Sequence, residues 1–206
     1  MSGVRIGIDF DNTIICYDKV FAAAARQRGL VPQGWTGSKI EVREYLQPKP
    51  GGELAWQGLQ GWVYGKGIGG AEIYPGVLDF LAACRQDNCR VYIVSHKTRF
   101  GHQDPDRTDL RVAARDWLRT AELIGAENSA LTLDDVYFED SQATKVARLA
   151  SLALDVFIDD LSDVFEQPHF PRHIRSILFD SSGMARPGPY TSVRSWDAIR
   201  REVFAG

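Results

Sequence analysis

Residues 4–13 read VRIGIDFDNT, and this stretch decides the fold that the sequence predicts. Its first half is apolar and continuous rather than alternating, as is typical of a strand buried on both faces of a parallel sheet. Two aspartates, Asp9 and Asp11, end the strand. Because successive side chains along a strand point to opposite faces, the two carboxylates begin on the same side. We therefore expect a buried strand that carries paired acids at its carboxyl end.

Four further segments are equally short and rich in Val, Ile, Phe or Tyr, and segments with helical periodicity lie between them. The predicted strands cover residues 4–10, 90–95, 136–138, 155–158 and 176–179, and the predicted helices cover 77–85, 109–124 and 143–152. This alternation indicates an α/β domain with a doubly wound, Rossmann-like parallel sheet of five core strands. In such domains ligands bind beyond the carboxyl ends of the strands.

Residues 17–74 interrupt the alternation. A predicted helix over 19–28 is followed by a region rich in glycine and tryptophan, and the whole stretch is too long for a connecting loop. We predict an inserted cap subdomain over 17–74 and a catalytic core over 1–16 and 75–206. The run GKGIGG at 65–70 resembles a dinucleotide-binding fingerprint, but it neither follows a predicted strand nor opens a clear helix. We expect a flexible loop there.

Composition narrows the class of protein. The 206 residues are 44% apolar and 25% charged, close to the globular average, which excludes wholesale disorder. The net charge of −3 argues against a nucleic-acid partner. Neither a membrane-spanning apolar run nor a signal-peptide pattern is evident, so no membrane partner is expected. Three cysteines without paired metal spacing suit reduced thiols in a cytoplasmic protein.

A second acidic pair, Asp159 and Asp160, directly follows the fourth predicted strand. Carboxylates a few ångströms apart repel one another unless a cation or a shared proton relieves them. Mg²⁺ prefers such oxygen-rich clusters and often also binds a substrate phosphate. Capping or turn formation is the alternative reading, and Asp163 in particular suits a helix N-cap. Acidic pairs at two strand ends are harder to explain by capping alone.

Ser95 ends the second predicted strand and precedes a run that contains His96, Lys97, Arg99 and His102. A hydroxyl and a backbone N–H at a strand end can hold a phosphoryl oxygen. The alternative is an ordinary turn with solvated cations, which we favour slightly for Lys97, Arg99 and His102. A serine hydrolase is a weak interpretation because the chain has no Gly-x-Ser-x-Gly motif here.

Lys145 is the fourth candidate. Ser141 or Thr144 is expected to cap the following helix, which places Lys145 in the first helical turn. The helix dipole disfavours a cation there by about 0.3–1 kcal/mol. A lysine in this position is better accommodated if it faces carboxylates or a bound phosphate, although a solvated lysine remains an alternative.

These elements, in this order, resemble the haloacid dehalogenase-like (HAD) hydrolase superfamily across essentially the whole chain. Residues 9–13 match its Asp-x-Asp-x-Thr motif, Ser95 its hydroxyl residue, Lys145 its lysine, and Asp159-Asp160 its acidic motif. The family also places a helical cap between its first and second motifs, where residues 17–74 lie. The resemblance implies Mg²⁺-dependent hydrolysis of a small phosphate monoester, a sugar phosphate or a nucleotide-like compound.

Carried over to this chain, the resemblance makes Asp9 the nucleophile, with an aspartyl-phosphate intermediate. Asp11 becomes the general acid and then the base, and Thr13 supports the nucleophile loop. Family members that remove halide lack the second aspartate, because halide leaves without a proton. The presence of Asp11 therefore favours phosphate-ester chemistry over dehalogenation.

The other motifs receive roles in the same way. Ser95 and Lys145 would hold the transferring phosphoryl group. The implied Mg²⁺ ligands are Asp9, the backbone carbonyl of Asp11, Asp159 and Asp160. Of the last two, we expect Asp160 to bind the metal directly and Asp159 to lie behind it.

Substrate-binding candidates come from the insertion and from the run after Ser95. They are His96, Lys97, Arg99, Trp56 and Trp62. Stacking of Trp35, Trp56, Trp62 or Tyr64 on a sugar or base is possible chemistry, but in a small subdomain such side chains more often form the core. Two other functions stay open: a phosphotransferase or phosphomutase that uses the same intermediate, and a non-catalytic phosphate-binding regulatory protein.

Overall fold

The computed structural model describes residues 3–125 and 131–204. Its strands are β1 (Arg5–Ile8), β2 (Ile15–Cys16), β3 (Glu72–Ile73), β4 (Arg90–His96), β5 (Val136–Glu139), β6 (Val156–Asp159), β7 (Arg175–Phe179) and β8 (Thr191–Val193). Six of them form a parallel sheet in the order β5-β4-β1-β6-β7-β8. The short strands β2 and β3 form a separate two-stranded sheet. The doubly wound parallel sheet is confirmed, with one strand more than the five predicted.

Seven α-helices lie in the described part of the chain. They are α1 (Asp18–Gln27), α2 (Lys39–Leu46), α3 (Gly52–Tyr64), α4 (Val77–Gln86), α5 (Leu110–Thr120), α6 (Gln142–Ser151) and α7 (Trp196–Phe204). The α5 helix is shorter than the predicted 109–124 because Glu122 adopts a left-handed backbone conformation with φ of 57°. None of the described helices is long and apolar enough to cross a bilayer.

Helices cover the large sheet on both faces. On one face Tyr92 and Val94 of β4 share a buried cluster with Val146 and Leu149 of α6. On the other face the Trp196 ring of α7 packs against Phe80 of α4 and Phe179 of β7. Burial on both faces explains why the strands read as continuous apolar runs.

The strand order shows where the chain reverses direction across the sheet. From the central β1 it builds outward through β4 and β5, then returns to the other side of β1 for β6, β7 and β8. The switch point therefore lies between β1 and β6. The crevice at the carboxyl ends of such a pair is where ligands bind in open α/β sheets.

The chain divides into two compact units. Unit 1 contains the described residues of Met1–Ile15, Ile73–Lys97 and Ala121–Gly206, and unit 2 contains Cys16–Glu72 and Thr98–Thr120. Residues 98–120 were expected in the core but belong to unit 2, and the other boundaries differ from the expected ones by one or two residues. Within unit 2, α5 packs against α3 and the short 3-10 helix Ile68–Gly70, and Trp117 Nε1 donates a hydrogen bond to the Ala71 carbonyl at 3.3 Å. This long-range packing has no local sequence signal.

The interior of unit 2 is aromatic. The rings of Phe21 and Trp56 stack with centroids 5.1 Å apart, and Tyr64 meets Phe21 edge to face at 5.8 Å. The GKGIGG run ends in the Ile68–Gly70 3-10 helix rather than in an irregular loop. The insertion is thus a helical unit with its own aromatic core.

Gly52, the first residue of α3, is expected to tolerate no larger side chain without loss of stability. A Cβ at this position would lie 1.8 Å from the Leu46 carbonyl oxygen, so Gly52→Ala must move backbone. We expect it to destabilise the protein by about 1–3 kcal/mol, as overpacking does. Gly58→Ala is the matched control in the same helix, because its Cβ would meet nothing closer than 3.8 Å. Helix propensity predicts that Gly58→Ala is neutral or stabilising. Urea unfolding of both variants measures the difference, and equal stabilities would contradict the prediction.

Candidate active site

Three neighbouring strands bring the predicted residues to one edge of the sheet. In β1, Ile8 pairs in register with Ile93 of β4 and with Ile158 of β6. The next residue, Asp9, continues this register, and its N–H donates to the Ile158 carbonyl at 2.8 Å. Asp9 therefore lies between the ends of β4 and β6, beside the switch point.

A tight turn follows Asp9. Asn12 has a φ of 59°, in the left-handed region that asparagine tolerates better than most residues, and its N–H donates to the Ile15 carbonyl at 2.9 Å. Thr13 is fully buried, and its carbonyl accepts from Trp196 Nε1 at 3.0 Å. The Thr13 hydroxyl donates to Asp160 Oδ1 at 3.4 Å. Thr13 thus connects the turn after β1 to Asp160, which directly follows β6.

Lys145 lies at the centre of the cluster. Its Nζ is 2.6 Å from Asp9 Oδ1 and 2.6 Å from Asp159 Oδ2, and all three side chains are buried. The predicted N-cap is confirmed: the Ser141 side chain accepts from the Thr144 N–H, so Lys145 lies in the first turn of α6. The lysine that the helix dipole disfavours is held there by two buried carboxylates.

Burial controls the protonation of these groups. It raises the pKa of Asp9 to about 7; Lys145 opposes this rise, and the Asp159 carboxylate adds to it. Burial alone would lower the pKa of Lys145, but Asp159 and Asp9 outweigh it and hold that pKa above its usual value. The Lys145 ammonium therefore stays charged. Its single positive charge does not balance the negative charges of the neighbouring aspartates, since the pKa of Asp9 stays raised.

The donor set fits a divalent cation. Asp9, Asp159 and Asp160 each offer a carboxylate oxygen, and these oxygens lie within 4.8 Å of one another. Three carboxylates and the single ammonium of Lys145 leave two negative charges uncompensated, which matches the charge and oxygen preference of Mg²⁺. Asp159 already uses Oδ2 for Lys145 and Oδ1 for the Leu161 N–H at 2.9 Å. The partly exposed Asp160 is therefore better placed to bind a metal directly.

The Asp11 carboxylate contacts a different cation. Lys97 Nζ is 2.9 Å from Asp11 Oδ1 and 2.8 Å from Oδ2, and the Lys97 side chain is only 2% exposed. A solvated position for Lys97 was favoured slightly from the sequence, and this interpretation was wrong. Strand alternation would have predicted that the Lys97 side chain lies on the same side of the chain as Ser95, although not that it pairs with Asp11.

Ser95 carries a polar atom that the fold leaves unpaired. Its Oγ is buried and has no hydrogen-bond partner among the residues that the structure describes. An unsatisfied buried hydroxyl costs about 1–3 kcal/mol. An oxygen of a bound ligand would satisfy it, and Ser95 ends the strand beside β1.

Other candidates in unit 1 lie outside the cluster. His96 points to the opposite side of β4 from Ser95 and Lys97, and as the last residue of that strand it is exposed. Asp163 is exposed on the 3-10 helix Ser162–Val164. It is not the N-cap residue of that helix, which is Leu161.

The candidates in unit 2 have partners of their own. Trp56 is 3% exposed and stacks on Phe21, so its expected role in substrate binding is corrected: it is a core residue. Arg99 is exposed and pairs with Asp109 at 2.8 Å. The half-buried Trp62 ring lies 5.2 Å from the Arg28 guanidinium carbon. His102 is exposed.

Comparison with known proteins gives the fold. No protein-family model matches the sequence, and no curated protein does. Solved structures match over nearly the full length. A HAD-superfamily hydrolase of subfamily IA from Geobacter sulfurreducens has a TM-score of 0.60 at 11% identity, covering 98% of this chain and 95% of its own. The HAD-hydrolase YfnB of Bacillus subtilis, bound to magnesium, has a TM-score of 0.59 at 11% identity, covering 99% and 100%.

A third match is a HAD-family hydrolase of Deinococcus radiodurans with bound phosphate and sodium. It has a TM-score of 0.57 at 14% identity and covers 98% of this chain and 95% of its own. The sheet order, the acidic strand ends and these matches define the class: the protein has the fold of the HAD-superfamily hydrolases. Resemblance at these identities concerns the fold, so the activity has to be argued from the site.

Proposed function

We propose that the protein is a phosphatase that hydrolyses a small phosphate monoester through an aspartyl-phosphate intermediate. The observation that carries this proposal is the cluster of Asp9, Lys145, Asp159 and Asp160 at the switch point of the sheet. The group joins a carboxylate nucleophile, a fixed cation and a set of metal ligands within one site. The unpaired Ser95 hydroxyl beside it supplies a donor for a phosphoryl oxygen.

The metal would be held by Asp9, Asp159 and Asp160, with the backbone carbonyl of Asp11 as the further ligand that the family resemblance implies. When bound, Mg²⁺ supplies positive charge that draws a phosphate into the site and balances charge on the phosphoryl oxygens. The YfnB structure with magnesium and the D. radiodurans structure with phosphate and sodium support this assignment.

In the first step, an Asp9 oxygen attacks phosphorus. The bond between this oxygen and phosphorus forms as the bond from phosphorus to the ester oxygen breaks. Asp11 gives its proton to the ester oxygen, which leaves as an alcohol. Lys145 stays charged and balances the phosphoryl oxygens as they move toward Asp9.

In the second step, Asp11 is a carboxylate and takes a proton from water. The resulting nucleophile attacks phosphorus and breaks the bond to Asp9. Inorganic phosphate leaves, Asp9 is a free carboxylate again, and Asp11 is again protonated. The two steps together consume one ester and one water and release one alcohol and one phosphate.

Partners and location are further parts of the proposal. We infer that the substrate is a small phosphorylated metabolite and that the protein acts in the cytoplasm without nucleic acid or membrane. Residues 17–74 are proposed to act as the cap that selects this substrate, as in the family that the sequence resembles. A sugar phosphate and a nucleoside monophosphate remain the two substrate classes to compare.

Phosphate release tests the reaction class. We expect Mg²⁺-dependent release from members of a panel of sugar phosphates, nucleoside monophosphates and 4-nitrophenyl phosphate. EDTA should reduce release to background, and added Mg²⁺ should restore it, because the carboxylates need the cation to accept an anionic ester. Asp163→Asn is the control, since Asp163 is an exposed acid outside the cluster.

Two outcomes would contradict parts of the proposal. Release that EDTA leaves unchanged would contradict the metal assignment. Absence of release from folded, Mg²⁺-bound protein would contradict the hydrolase. If phosphate then appears on an added alcohol, the protein is a phosphotransferase that uses the same intermediate.

A further inference from the structure

Lys97 has a position that the four family motifs do not account for. It directly follows the last residue of β4, and its N–H donates to the Glu139 carbonyl at 2.9 Å, which prolongs the ladder between β4 and β5. Strand alternation therefore still applies to it. Ser95 and Lys97 point to one side, and the exposed His96 points to the other. The backbone thus delivers the Lys97 side chain to the carboxyl end of β1.

The Lys97 ammonium contacts both oxygens of Asp11, at 2.9 and 2.8 Å. Two contacts from one ammonium restrict how the carboxyl group can rotate. The environment is asymmetric, because the Lys97 side chain is 2% exposed whereas that of Asp11 is 18% exposed. Asp11 therefore keeps access to an incoming group while its cation partner is enclosed.

Stability alone is a weak reason for this pair. Burial of an ion pair costs desolvation, and apolar residues of similar volume often give equal or greater stability. Lys145 already provides the cation for Asp9 and Asp159. A second buried lysine, whose ammonium contacts both oxygens of Asp11, calls for a role tied to Asp11.

We propose that Lys97 is a positioning residue that holds the Asp11 carboxyl group where it can exchange a proton with the ester oxygen. This inference rests on the proposed phosphatase function and assigns Lys97 a role other than substrate binding. The lysine can donate to Asp11 in both protonation states, because a protonated carboxyl group keeps an accepting oxygen. It also balances the charge that forms on Asp11 when the proton leaves for the ester oxygen.

The nature of the leaving group separates this role from others. An alkyl phosphate needs a proton on its leaving oxygen, whereas 4-nitrophenolate departs readily without one. A residue that acts through Asp11 therefore affects alkyl esters selectively. A residue that binds the phosphoryl group affects both esters equally, since both carry the same group. A structural residue lowers both rates and also lowers Tm.

The test compares kcat/KM for an alkyl phosphate and for 4-nitrophenyl phosphate in full-length Lys97→Met. We expect a loss of about 10²-fold or more with the alkyl ester, in the range of general acid catalysis, and a much smaller loss with the aryl ester. Asp11→Asn should show the same selectivity. The double variant should be no slower than Asp11→Asn, because Lys97 then has no proton donor to position. Lys97→Arg should recover part of the alkyl-ester activity.

Lys19→Met is the matched control, because Lys19 is 76% exposed and pairs with Glu72 at 2.7 Å. It should leave both rates unchanged. Equal losses on the two esters in Lys97→Met, or additive losses in the double variant, would overturn the proposal. The double variant removes both the Lys97 ammonium and the Asp11 carboxylate, so it leaves no unpaired charge. Its comparison with Asp11→Asn still tests the proposal if Lys97→Met alone does not fold.

A crystal structure of Lys97→Met decides the positioning claim without turnover. We expect the Asp11 carboxyl group to leave its present orientation, and an unchanged Asp11 would overturn the claim. If the wild type hydrolyses neither ester, the proposed phosphatase function is contradicted. The position of Asp11 in the Lys97→Met crystal structure then still tests whether Lys97 positions Asp11.

Discussion

Replacing Asp9 by asparagine is expected to lower phosphate release by about 10⁴-fold or more, the scale seen when a covalent nucleophile is removed. The amide nitrogen cannot attack phosphorus, and an amide oxygen is a poor nucleophile. Incubation of wild type with a ³²P-labelled ester should label the protein with a base-labile phosphoryl group, and Asp9→Asn should remain unlabelled. Wild-type turnover in this variant would assign the nucleophile elsewhere.

The same variant should stay folded. Burial raises the pKa of Asp9 to about 7, so the ionised carboxylate is disfavoured in the folded protein when no cation is bound. A neutral amide of the same shape avoids this cost and can still accept from Lys145 Nζ. Thermal melts without metal should therefore give Asp9→Asn a Tm equal to or above that of wild type. Added Mg²⁺ should raise the wild-type Tm more, because binding to the native state alone stabilises it.

Lys145→Met is expected to cost the most stability among the site variants. It leaves the buried carboxylates of Asp9 and Asp159 without their ammonium, and breaking a buried pair in this way costs about 3–5 kcal/mol. For a chain of this size, about 2–4 °C of Tm accompany each kcal/mol. We therefore expect Tm to fall by about 6–20 °C, together with loss of phosphate release. Lys66→Met is the control, since Lys66 is 52% exposed and pairs with an exposed Asp106.

A second variant shows whether charge is the cause. Asp9→Asn combined with Lys145→Met removes one charge of each sign, so it should recover part of the Tm that Lys145→Met loses. Added Mg²⁺ should also stabilise Lys145→Met, because it supplies positive charge to the same carboxylates. If neither change raises its Tm, the loss comes from packing rather than from the unpaired acids.

The core strands were predictable because their apolar runs are continuous and local. Residues 4–10 and 90–95 correspond to β1 and β4 within a few residues. The edge strand β8 escaped prediction because it has three residues, Thr191–Val193, with little burial. The α3 helix was missed because its glycines hide a helical pattern, and packing within unit 2 overrides their low propensity.

Those site residues that lie at the carboxyl ends of strands could be predicted from the sequence. Asp9 and Asp159 lie together because parallel strands in register end at the same edge of the sheet. Lys145 required only the cap at Ser141 to fix its position. The pairing of Lys97 with Asp11 requires β4 and β1 to be neighbours in the sheet, and neither of these two sequence segments indicates the strand order.

The division of the chain into two units bears on how such a protein can be recombined. The backbone passes between the units four times, so unit 2 is assembled from two separate insertions. A chimera that exchanges residues 16–72 alone would leave α5 without the Ala71 carbonyl that Trp117 uses and without its packing partner α3. Transfer of unit 2 to another protein would therefore require both segments to be moved together, although 25 residues separate them in the sequence.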